Sequence, residues 1–157
     1  MFQGLTFEPF RLPSEAEKLR AEVREFLTSA LDPEVLPNSD FNAGDSAEFS
    51  KSLGAKGWIG MTWPKEYGGA ERSFLERYVV TEELLAAGAP VGRHWIADRQ
   101  TGPLFLKFGT DEQRQKFLPR IVSGDCYFSI GMSEPDTGSD LASIRTTATK
   151  TDGGWLV

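Results

Sequence analysis

The sequence predicts an α+β fold in which a block of helices is followed by the first strands of a β region. Apolar residues recur at helical spacing, between capping and stop signals, as far as Gly124. Beyond it the period changes to two, and Asp152-Gly153 is typical of a hairpin turn. Because helices and strands fall in separate blocks, we expect a helical domain over residues 1–125 and a β domain that begins with residues 126–157.

The first helix is predicted over residues 14–31. Leu19 and Val23 recur on one face at helical spacing, together with apolar residues one turn further on. Ser14 is followed three residues later by Glu17, which is the spacing of a capping box. In that motif the hydroxyl accepts a backbone N–H that has no partner inside the helix. We therefore expect Ser14 to be the N-cap.

Two further helices are marked by similar signals. A short helix is expected to open at Asp45 and Glu48 and to end near Gly57. Ser73 with Glu76 forms the capping box of a helix over "SFLERYVVTEELLAAG". The apolar residues of this helix that we expect to point inward are Leu75, Val79, Val80, Leu84 and Leu85.

The helical block ends with two more segments. "GPLFLKFG" shows a shorter helical pattern that ends at Gly109. Thr110 with Gln113 supplies a last capping box, for a helix that stops at Gly124.

Two segments of the helical block have no helical period. Residues 57–69, "GWIGMTWPKEYGG", combine glycines with large aromatics, and we expect Trp58 and Trp63 to be packing anchors. Residues 32–44 are polar and are predicted to be a loop.

Composition and charge exclude several classes of function. The net charge of −6, without a basic cluster, argues against a nucleic-acid partner. The sequence has no apolar run long enough to span a bilayer, and "MFQGLTFEPFRLPSEAEK" resembles neither a secretory signal nor a typical transit peptide. We therefore expect a cytoplasmic protein without a membrane partner. The single cysteine, Cys126, excludes an internal disulfide and argues against a cysteine-based metal site.

The β region is predicted from alternating residues. "CYFSIGMS" at 126–133 and "IRTTATKT" at 144–151 are each typical of a strand, and "WLV" begins another after the turn. The chain stops at Val157, within this last hairpin. Because an unfinished strand would leave an unpaired edge, we expect the chain to be a truncated piece of a longer protein.

The loop "GMSEPDTGSD", residues 131–140, follows the first predicted strand. Gly131 and Gly138 allow the backbone to approach a ligand closely. Hydroxyls and exposed N–H groups in such a loop suit a phosphate or the polar edge of a ring. On composition alone a polar surface hairpin explains the loop equally well.

Three segments resemble, in order and spacing, those of the acyl-CoA dehydrogenase family. "GMSEPDTGSD" followed by "LAS" is similar to the family's first signature. "GWIGMTWPKEYGG" and "KFGTDEQRQKFLPRIVSGD" are similar to two further family segments. The resemblance covers nearly the whole chain, and three ordered segments are far more specific than any one of them.

The resemblance implies a three-part enzyme of which this chain is the beginning. Residues 1–125 would be the N-terminal helical domain, and residues 126–157 the first strands of a β-barrel-like middle domain. The C-terminal helical bundle would be absent from this chain. That bundle would carry the catalytic glutamate, beyond Val157, so we expect no catalytic residue here and no activity of this chain alone.

The resemblance also implies an FAD site in the loop. Met132 and Ser133 would contact the pyrimidine side of the flavin, and Gly138 and Ser139 would face the pyrophosphate. Ser139 would also lie near the acyl-CoA. Ile130 would contribute only packing, because the family often has an aromatic residue at this place.

The implied activity is α,β-dehydrogenation of an acyl-CoA thioester, as in fatty acid and lipid metabolism. Implied partners are the acyl-CoA substrate, further copies in a homodimer or homotetramer, and an electron-transfer flavoprotein. Two alternatives stay open: an acyl-CoA oxidase or flavin monooxygenase of the same fold, and a partial subunit without catalytic activity. The acyl group cannot be read from these residues.

Four titratable residues invite a catalytic interpretation that we do not favour. His94 is the only histidine, and we expect it to be structural or to line a pocket. The pair Glu82-Glu83 is expected on a solvated helix face. Glu134 lies in the family signature and is expected to shape the loop, since the base would lie further along the chain.

Overall fold

The computed structural model describes residues 11–32 and 44–157 of the chain. Most of the N-terminal segment inspected for a targeting signal, and most of the predicted polar loop at 32–44, lie outside these residues. The described residues are mostly helical and end in a small two-stranded sheet. The helices are α1 (Ser14–Ala30), α2 (Ala47–Ala55), α3 (Phe74–Ala86), α4 (Gly92–Ile96), α5 (Gly102–Phe108) and α6 (Asp111–Val122), and the strands are β1 (Thr149–Thr151) and β2 (Gly154–Leu156). This architecture confirms the predicted α+β class.

One hydrophobic core holds the helices together. It is built from the apolar faces of α1, α3 and α6 and from the aromatic segment at 57–69. Trp58 and Trp63 are both buried in it, as predicted. The fully buried members include Leu19, Val23, Leu53, Ile59, Met61, Val79, Val91, Leu118 and Ile121. The periodic residues of the sequence thus form a single packed interior.

Two of the four predicted helix starts are confirmed. Ser73 with Glu76 and Thr110 with Gln113 both form complete capping boxes. The prediction for Ser14 is wrong, because α1 begins at Ser14 and Pro13 is the N-cap, without a side-chain hydrogen bond. The carbonyl of Pro13 accepts the N–H groups of residues 16 and 17. Proline has a fixed φ suited to this position, and the serine thus becomes the first helical residue.

Helix α2 begins slightly later than predicted. Its N-cap is Ser46, whose hydroxyl accepts the N–H of Phe49 at 3.1 Å. The predicted opening at Asp45 and Glu48 is therefore wrong by about one residue.

The segment before Gly109 is more helical than predicted. Helices α4 and α5 are joined by a π-helical turn at Ala97–Thr101, so that helical structure runs from Gly92 to Phe108. A π turn inserts one extra residue into the helix and rotates the side chains that follow. The turn carries Asp98 and Arg99, which the periodicity did not distinguish from a surface pair.

The β region is smaller than predicted. The hairpin at Asp152-Gly153 is confirmed, with Thr149 opposite Leu156 and Thr151 opposite Gly154. The predicted strand at 126–133, however, pairs with no strand among the described residues, and only the end of 144–151 is in a ladder. A strand exists only through hydrogen bonds to a neighbour, and no partner strand lies within reach of these residues in the described chain.

Helix α3 buries Val79, Val80 and Leu84 as predicted, but the edges of its buried face differ from the prediction. Leu75 and Leu85 are 41% and 38% exposed, whereas Glu83 is only 7% exposed. The carboxylate of Glu83 accepts hydrogen bonds from Arg20 and from Arg24 Nε, the latter at 2.7 Å. The expectation that Glu83 lies on a solvated face is therefore wrong. An ion pair across α1 and α3 replaces an apolar contact, which helical period alone cannot reveal.

We predict that Glu83→Ala lowers the free energy of unfolding by about 2–3 kcal/mol, because it removes the buried carboxylate that Arg20 and Arg24 share, although Arg20 keeps its ion pair with Glu82. Glu82→Ala is the matched control on the same helix. Glu82 is half-exposed, and its loss should be clearly smaller. Chemical denaturation of both variants measures the difference. Equal losses in the two variants would contradict the ranking.

The pH dependence of stability in wild-type and in Glu83→Gln gives a second test of the Glu83 ion pair. Hydrogen bonds from Arg24 and Arg20 lower the pKa of Glu83 below its ordinary value of 4.5. Its stabilising effect is therefore present above pH 4.5 and is lost as the pH falls through the lowered native pKa. The gap between wild-type and Glu83→Gln should shrink in that acid range. A gap that stays constant down to the acid transition would contradict the assignment.

Candidate functional site

The loop at 130–140 is closed by a tight turn. Glu134 and Thr137 exchange both of their backbone hydrogen bonds, at 2.9 and 3.1 Å. Pro135 and Asp136 occupy the corner, and proline is favoured at the first corner position because its φ is already fixed. Tight turns favour proline and polar residues, which accounts for the polar composition of the loop that follows the extended segment.

The carboxylate of Glu134 fastens this turn to the next segment of the chain. It accepts the N–H groups of Arg145 at 3.0 Å and Thr146 at 2.7 Å, and the hydroxyl of Thr146 at 2.5 Å. The Thr146 hydroxyl and these two N–H groups lower the pKa of Glu134. An ionised carboxylate with three donors is a structural element of the loop. This agrees with the interpretation that Glu134 is not the catalytic base.

The remaining donors of the loop are free. Met132, Ser133, Gly138 and Ser139 are exposed, and their backbone N–H groups have no acceptor in the described part of the chain. A Cβ built on Gly138 would meet nothing within 4 Å. The loop therefore presents open space next to unpaired N–H groups, as expected at an anion or ring-edge site.

Thr137 shows a different kind of unsatisfied group. Its side chain is 5% exposed, and its hydroxyl has no hydrogen-bond partner among the described residues. A buried hydroxyl without a partner is costly, and such groups are rare in folded proteins. The hydroxyl and the free N–H groups form a set of donors suited to a polar ligand.

The other acidic residues of the loop have partners of their own. Asp140 accepts the hydroxyl of Ser143. Asp136 lies 3.9 Å from Arg145 Nη1, as an exposed ion pair. These contacts reduce the repulsion that an approaching anion would meet, although both carboxylates remain exposed.

The predicted site residues thus lie together on one exposed loop. Ile130 and Met132 are 43% and 53% exposed, which leaves two apolar side chains on the surface of the described chain. Both side chains are therefore accessible to a ligand that approaches the free donors.

A match to a family model decides which family this chain belongs to. Residues 13–125 match the model for the N-terminal domain of acyl-CoA dehydrogenases. The chain belongs to the acyl-CoA dehydrogenase family. The resemblance deduced from the three sequence segments is thereby confirmed.

Relatives in the acyl-CoA dehydrogenase family match over most of the chain. FadE26 of Mycobacterium tuberculosis is 38% identical over 149 residues, which are 91% of this chain and 37% of FadE26. The Tcur3481-Tcur3483 steroid ACAD is 41% identical with a TM-score of 0.78, over 90% of this chain and 37% of that chain. The ChsE4-ChsE5 complex of M. tuberculosis gives 38% identity and a TM-score of 0.78, over 92% and 36%. The chain therefore spans little more than a third of its relatives' length.

One solved relative holds the expected cofactor in reduced form. A glutaryl-CoA dehydrogenase of Mycobacterium smegmatis, in complex with FADH2, is 27% identical with a TM-score of 0.73, over 92% of this chain and 37% of that chain. Flavin binding is thus present among the relatives of this acyl-CoA dehydrogenase chain. The free donors and the unpaired hydroxyl of the loop are chemically suited to the same group.

Among the described residues, no helix is both long and apolar enough to cross a membrane.

The only histidine of the chain is buried in the helical part of the structure. His94 is 5% exposed, and its Nδ1 lies 2.9 Å from the hydroxyl of Ser50 on α2. Burial lowers the pKa of His94 to about 4, so the ring is neutral at physiological pH. A neutral ring that is hydrogen-bonded inside the helical core supports the structural interpretation over a general base.

A buried charge cluster around Asp98 was not predicted from the sequence. Asp98 on the π turn is 6% exposed, and its Oδ1 accepts the N–H of Gly60 at 2.8 Å. Its Oδ2 lies 3.3 Å from Arg99 Nε and 3.4 Å from Arg77 Nη2. The only signal in the sequence was an Asp-Arg pair inside a helical pattern, which is usually solvated.

We predict that His94 makes the protein less stable in mild acid. Because the native ring resists protonation, the unfolded chain binds the extra proton between pH 6.5 and about 4. The free energy of unfolding should fall by about 3 kcal/mol across this range on account of His94 alone. Denaturation curves of wild-type and His94→Gln at several pH values measure it. Parallel pH profiles of the two proteins would contradict the buried, neutral ring.

We predict that Glu134→Ala releases the loop. The amides of Arg145 and Thr146 should lose protection from hydrogen exchange, because their acceptor is gone. Glu134→Gln keeps one side-chain oxygen and should retain part of the protection. The amides of the β1–β2 hairpin are the internal control. Unchanged exchange at Arg145 and Thr146 in both variants would contradict the role of this carboxylate.

Proposed function

We propose that this chain is the N-terminal part of an FAD-dependent acyl-CoA dehydrogenase that catalyses α,β-dehydrogenation of an acyl-CoA thioester. One observation carries the proposal beyond family membership. The loop at 130–139 combines unpaired N–H groups, hydroxyls and open space with exposed apolar side chains. These are the requirements of a flavin, which has a polar ring edge, an apolar ring face and a pyrophosphate.

Each predicted site residue has a role in this proposal. Met132 and Ser133 would donate to the pyrimidine edge of the flavin through N–H groups and the hydroxyl. Gly138 and Ser139 would donate to the pyrophosphate, and Ser139 would also lie near the acyl-CoA. Ile130 would pack against the ring. The exposure of all five residues in the described chain supports these roles.

The cofactor, the loop and the base would have separate roles in the reaction. When bound, FAD would accept the hydride that leaves the β carbon of the acyl group. The loop would hold the ring in place and keep water from one side of it. We assign no described carboxylate of the loop as the base, because Glu134 is committed to backbone N–H groups, Asp140 accepts the Ser143 hydroxyl, and Asp136 is paired with Arg145. We propose that the base is a glutamate beyond Val157, and that residues 1–125 and 126–157 belong to two domains.

Assembly and substrate are further parts of the proposal. One relative was solved as a complex, ChsE4-ChsE5, and we propose that this chain works in a homo-oligomer or beside a related subunit. Electron transfer to an electron-transfer flavoprotein is proposed for the whole enzyme. A relative with 41% identity is named a steroid ACAD, so a thioester with a steroid body is the first acyl-CoA to test, beside simple fatty acyl-CoA.

We predict that Gly138→Val lowers FAD occupancy of the full-length protein. The chain itself tolerates a larger residue, because a Cβ at Gly138 meets nothing within 4 Å and φ is not positive. Any loss of flavin therefore reports crowding of the ligand. We expect an affinity loss of about tenfold or more, the effect of one or two weakened charge-assisted hydrogen bonds. The ratio of flavin to protein absorbance measures occupancy.

Gly154→Val is the matched control for this variant. Gly154 lies in β2, and a Cβ there also meets nothing within 4 Å. It should leave flavin occupancy unchanged. If Gly138→Val binds FAD as well as the control and wild-type do, the proposed flavin site is wrong.

A further inference from the structure

A cleft beside the buried charge cluster has an unbalanced positive charge. It has a volume of about 570 Å³, which lies in the range of small-molecule sites. Arg77 on α3, Arg99 on the π turn and Lys107 on α5 line it, and no acidic residue of the described chain does. Three cations therefore face one cleft from three different elements.

The one carboxylate beside these cations does not satisfy them. Asp98 offers a single oxygen, Oδ2, to both guanidinium groups, at 3.3 and 3.4 Å, because Oδ1 accepts the N–H of Gly60. Arg99 also donates to the hydroxyl of Thr81 and lies over the Trp95 ring, 4.6 Å from its centroid, and Arg77 donates to the carbonyl of Asp98 at 3.4 Å. The Nη1 groups of both arginines have no acceptor in the described chain, and Lys107 forms no ion pair there.

The burial of the two arginines makes this imbalance costly. The side chains of Arg77 and Arg99 are 16% and 27% exposed, and that of Asp98 is 8% exposed. A guanidinium that has lost water without gaining an acceptor is destabilising, and a carboxylate can accept from its planar fork in two parallel hydrogen bonds. The arginines thus supply the donors, and an anion would complete the cluster.

Apart from Thr62, the rest of the cleft is apolar. Trp63, Pro64, Phe74, Pro103 and Leu106 line it beside the cations, and Phe74 is 74% exposed. An inorganic anion would leave these side chains against water. A carboxylate on an apolar body would satisfy the guanidinium groups and cover the apolar wall at the same time.

We propose that the cleft between α3, the π turn and α5 binds a carboxylate carried by an apolar body. Two sources share this chemistry. The carboxylate is either the far end of an acyl group bound as its CoA thioester, or a free organic acid. The first source rests on the proposed function, and the second does not.

Calorimetry on the full-length protein tests the site itself. The probe is sebacate, a ten-carbon diacid, compared with 1,10-decanediol, which has the same length and no charge. We expect sebacate to bind more tightly than the diol. Arg77→Gln and Lys107→Gln should each weaken sebacate about tenfold, the effect of losing one charged donor, and leave the diol unchanged. Lys150→Gln, on the hairpin, should change neither.

Lys107→Gln distinguishes a loss of sebacate binding from a loss of folding. Lys107 is exposed and pairs with no carboxylate in the described chain, so its removal should leave the melting temperature unchanged. The sebacate affinity of Arg77→Gln is interpreted together with the melting temperature of Arg77→Gln itself. If sebacate binds no better than the diol, or equally well to all variants, the proposal is wrong. That result would also follow if an acidic side chain of the protein fills the cleft.

A second comparison separates the two sources. Binding of the CoA monothioester of sebacate is compared with that of decanoyl-CoA, in wild-type and in Arg77→Gln. A preference for the diacid thioester that Arg77→Gln removes identifies the acyl end as the source. Binding of free sebacate without such a preference identifies a free acid. Flavin content and turnover of decanoyl-CoA test the proposed function separately, so that its failure is distinguishable from failure of the cleft.

Discussion

The packing of Trp63 is the constraint on which the helical part of the structure depends. Its ring lies against the start of α5, where a Cβ on Gly102 would be 2.0 Å from the indole. Gly69 lies so close to the backbone carbonyl of Trp63 that a Cβ on Gly69 would be 2.2 Å from the carbonyl oxygen. Neither position can hold a larger residue without moving the indole or the backbone. One buried aromatic thus fixes the distance between the irregular segment and the helix that follows the π turn.

The charge cluster depends on the same contact. Gly60 donates to Asp98 across the interface that Trp63 forms, and the left-handed φ of 61° at Gly60 directs the chain into this bond. Asp98 in turn holds Arg77 and Arg99 at the wall of the cleft. A buried carboxylate with two guanidinium groups contributes less to stability than an apolar contact of the same size. The cluster is therefore weak evidence for stabilisation, and its arginines are the donors of the binding that we propose for the cleft.

The sequence predicted those features that depend on neighbouring residues. The capping boxes at Ser73 and Thr110 and the hairpin at Asp152-Gly153 are local patterns, and the structure confirms them. The wrong predictions at Ser14 and Asp45 are shifts of about one residue at a helix start, whereas the larger error concerns a residue whose position is decided by a distant partner. Glu83 is buried because Arg20 and Arg24 lie opposite on α1, about 60 residues away in the chain.

The loop and the cleft also differ in whether the sequence could predict them. The loop residues were identified because their order resembles a family signature, and neither helical nor strand period distinguishes them. The cleft cations come from α3, the π turn and α5, and no sequence spacing joins Arg77 to Lys107. Only the fold brings them together. A site built on one loop can be found from sequence, whereas a site assembled from three elements needs the structure.

The two sites differ in how they are supported, and this difference bears on specificity. The loop is held by hydrogen bonds of its own, from Glu134 to Arg145 and Thr146, and its free donors are backbone N–H groups. Backbone donors are independent of side-chain identity and suit a cofactor that never changes. The cleft uses side chains, which substitution can alter without disturbing the backbone. The relatives carry different substrate names, among them steroid, isovaleryl and glutaryl, so if the proposed cleft holds the acyl end, its exchangeable side chains are where substrate preference can change at least cost to the fold.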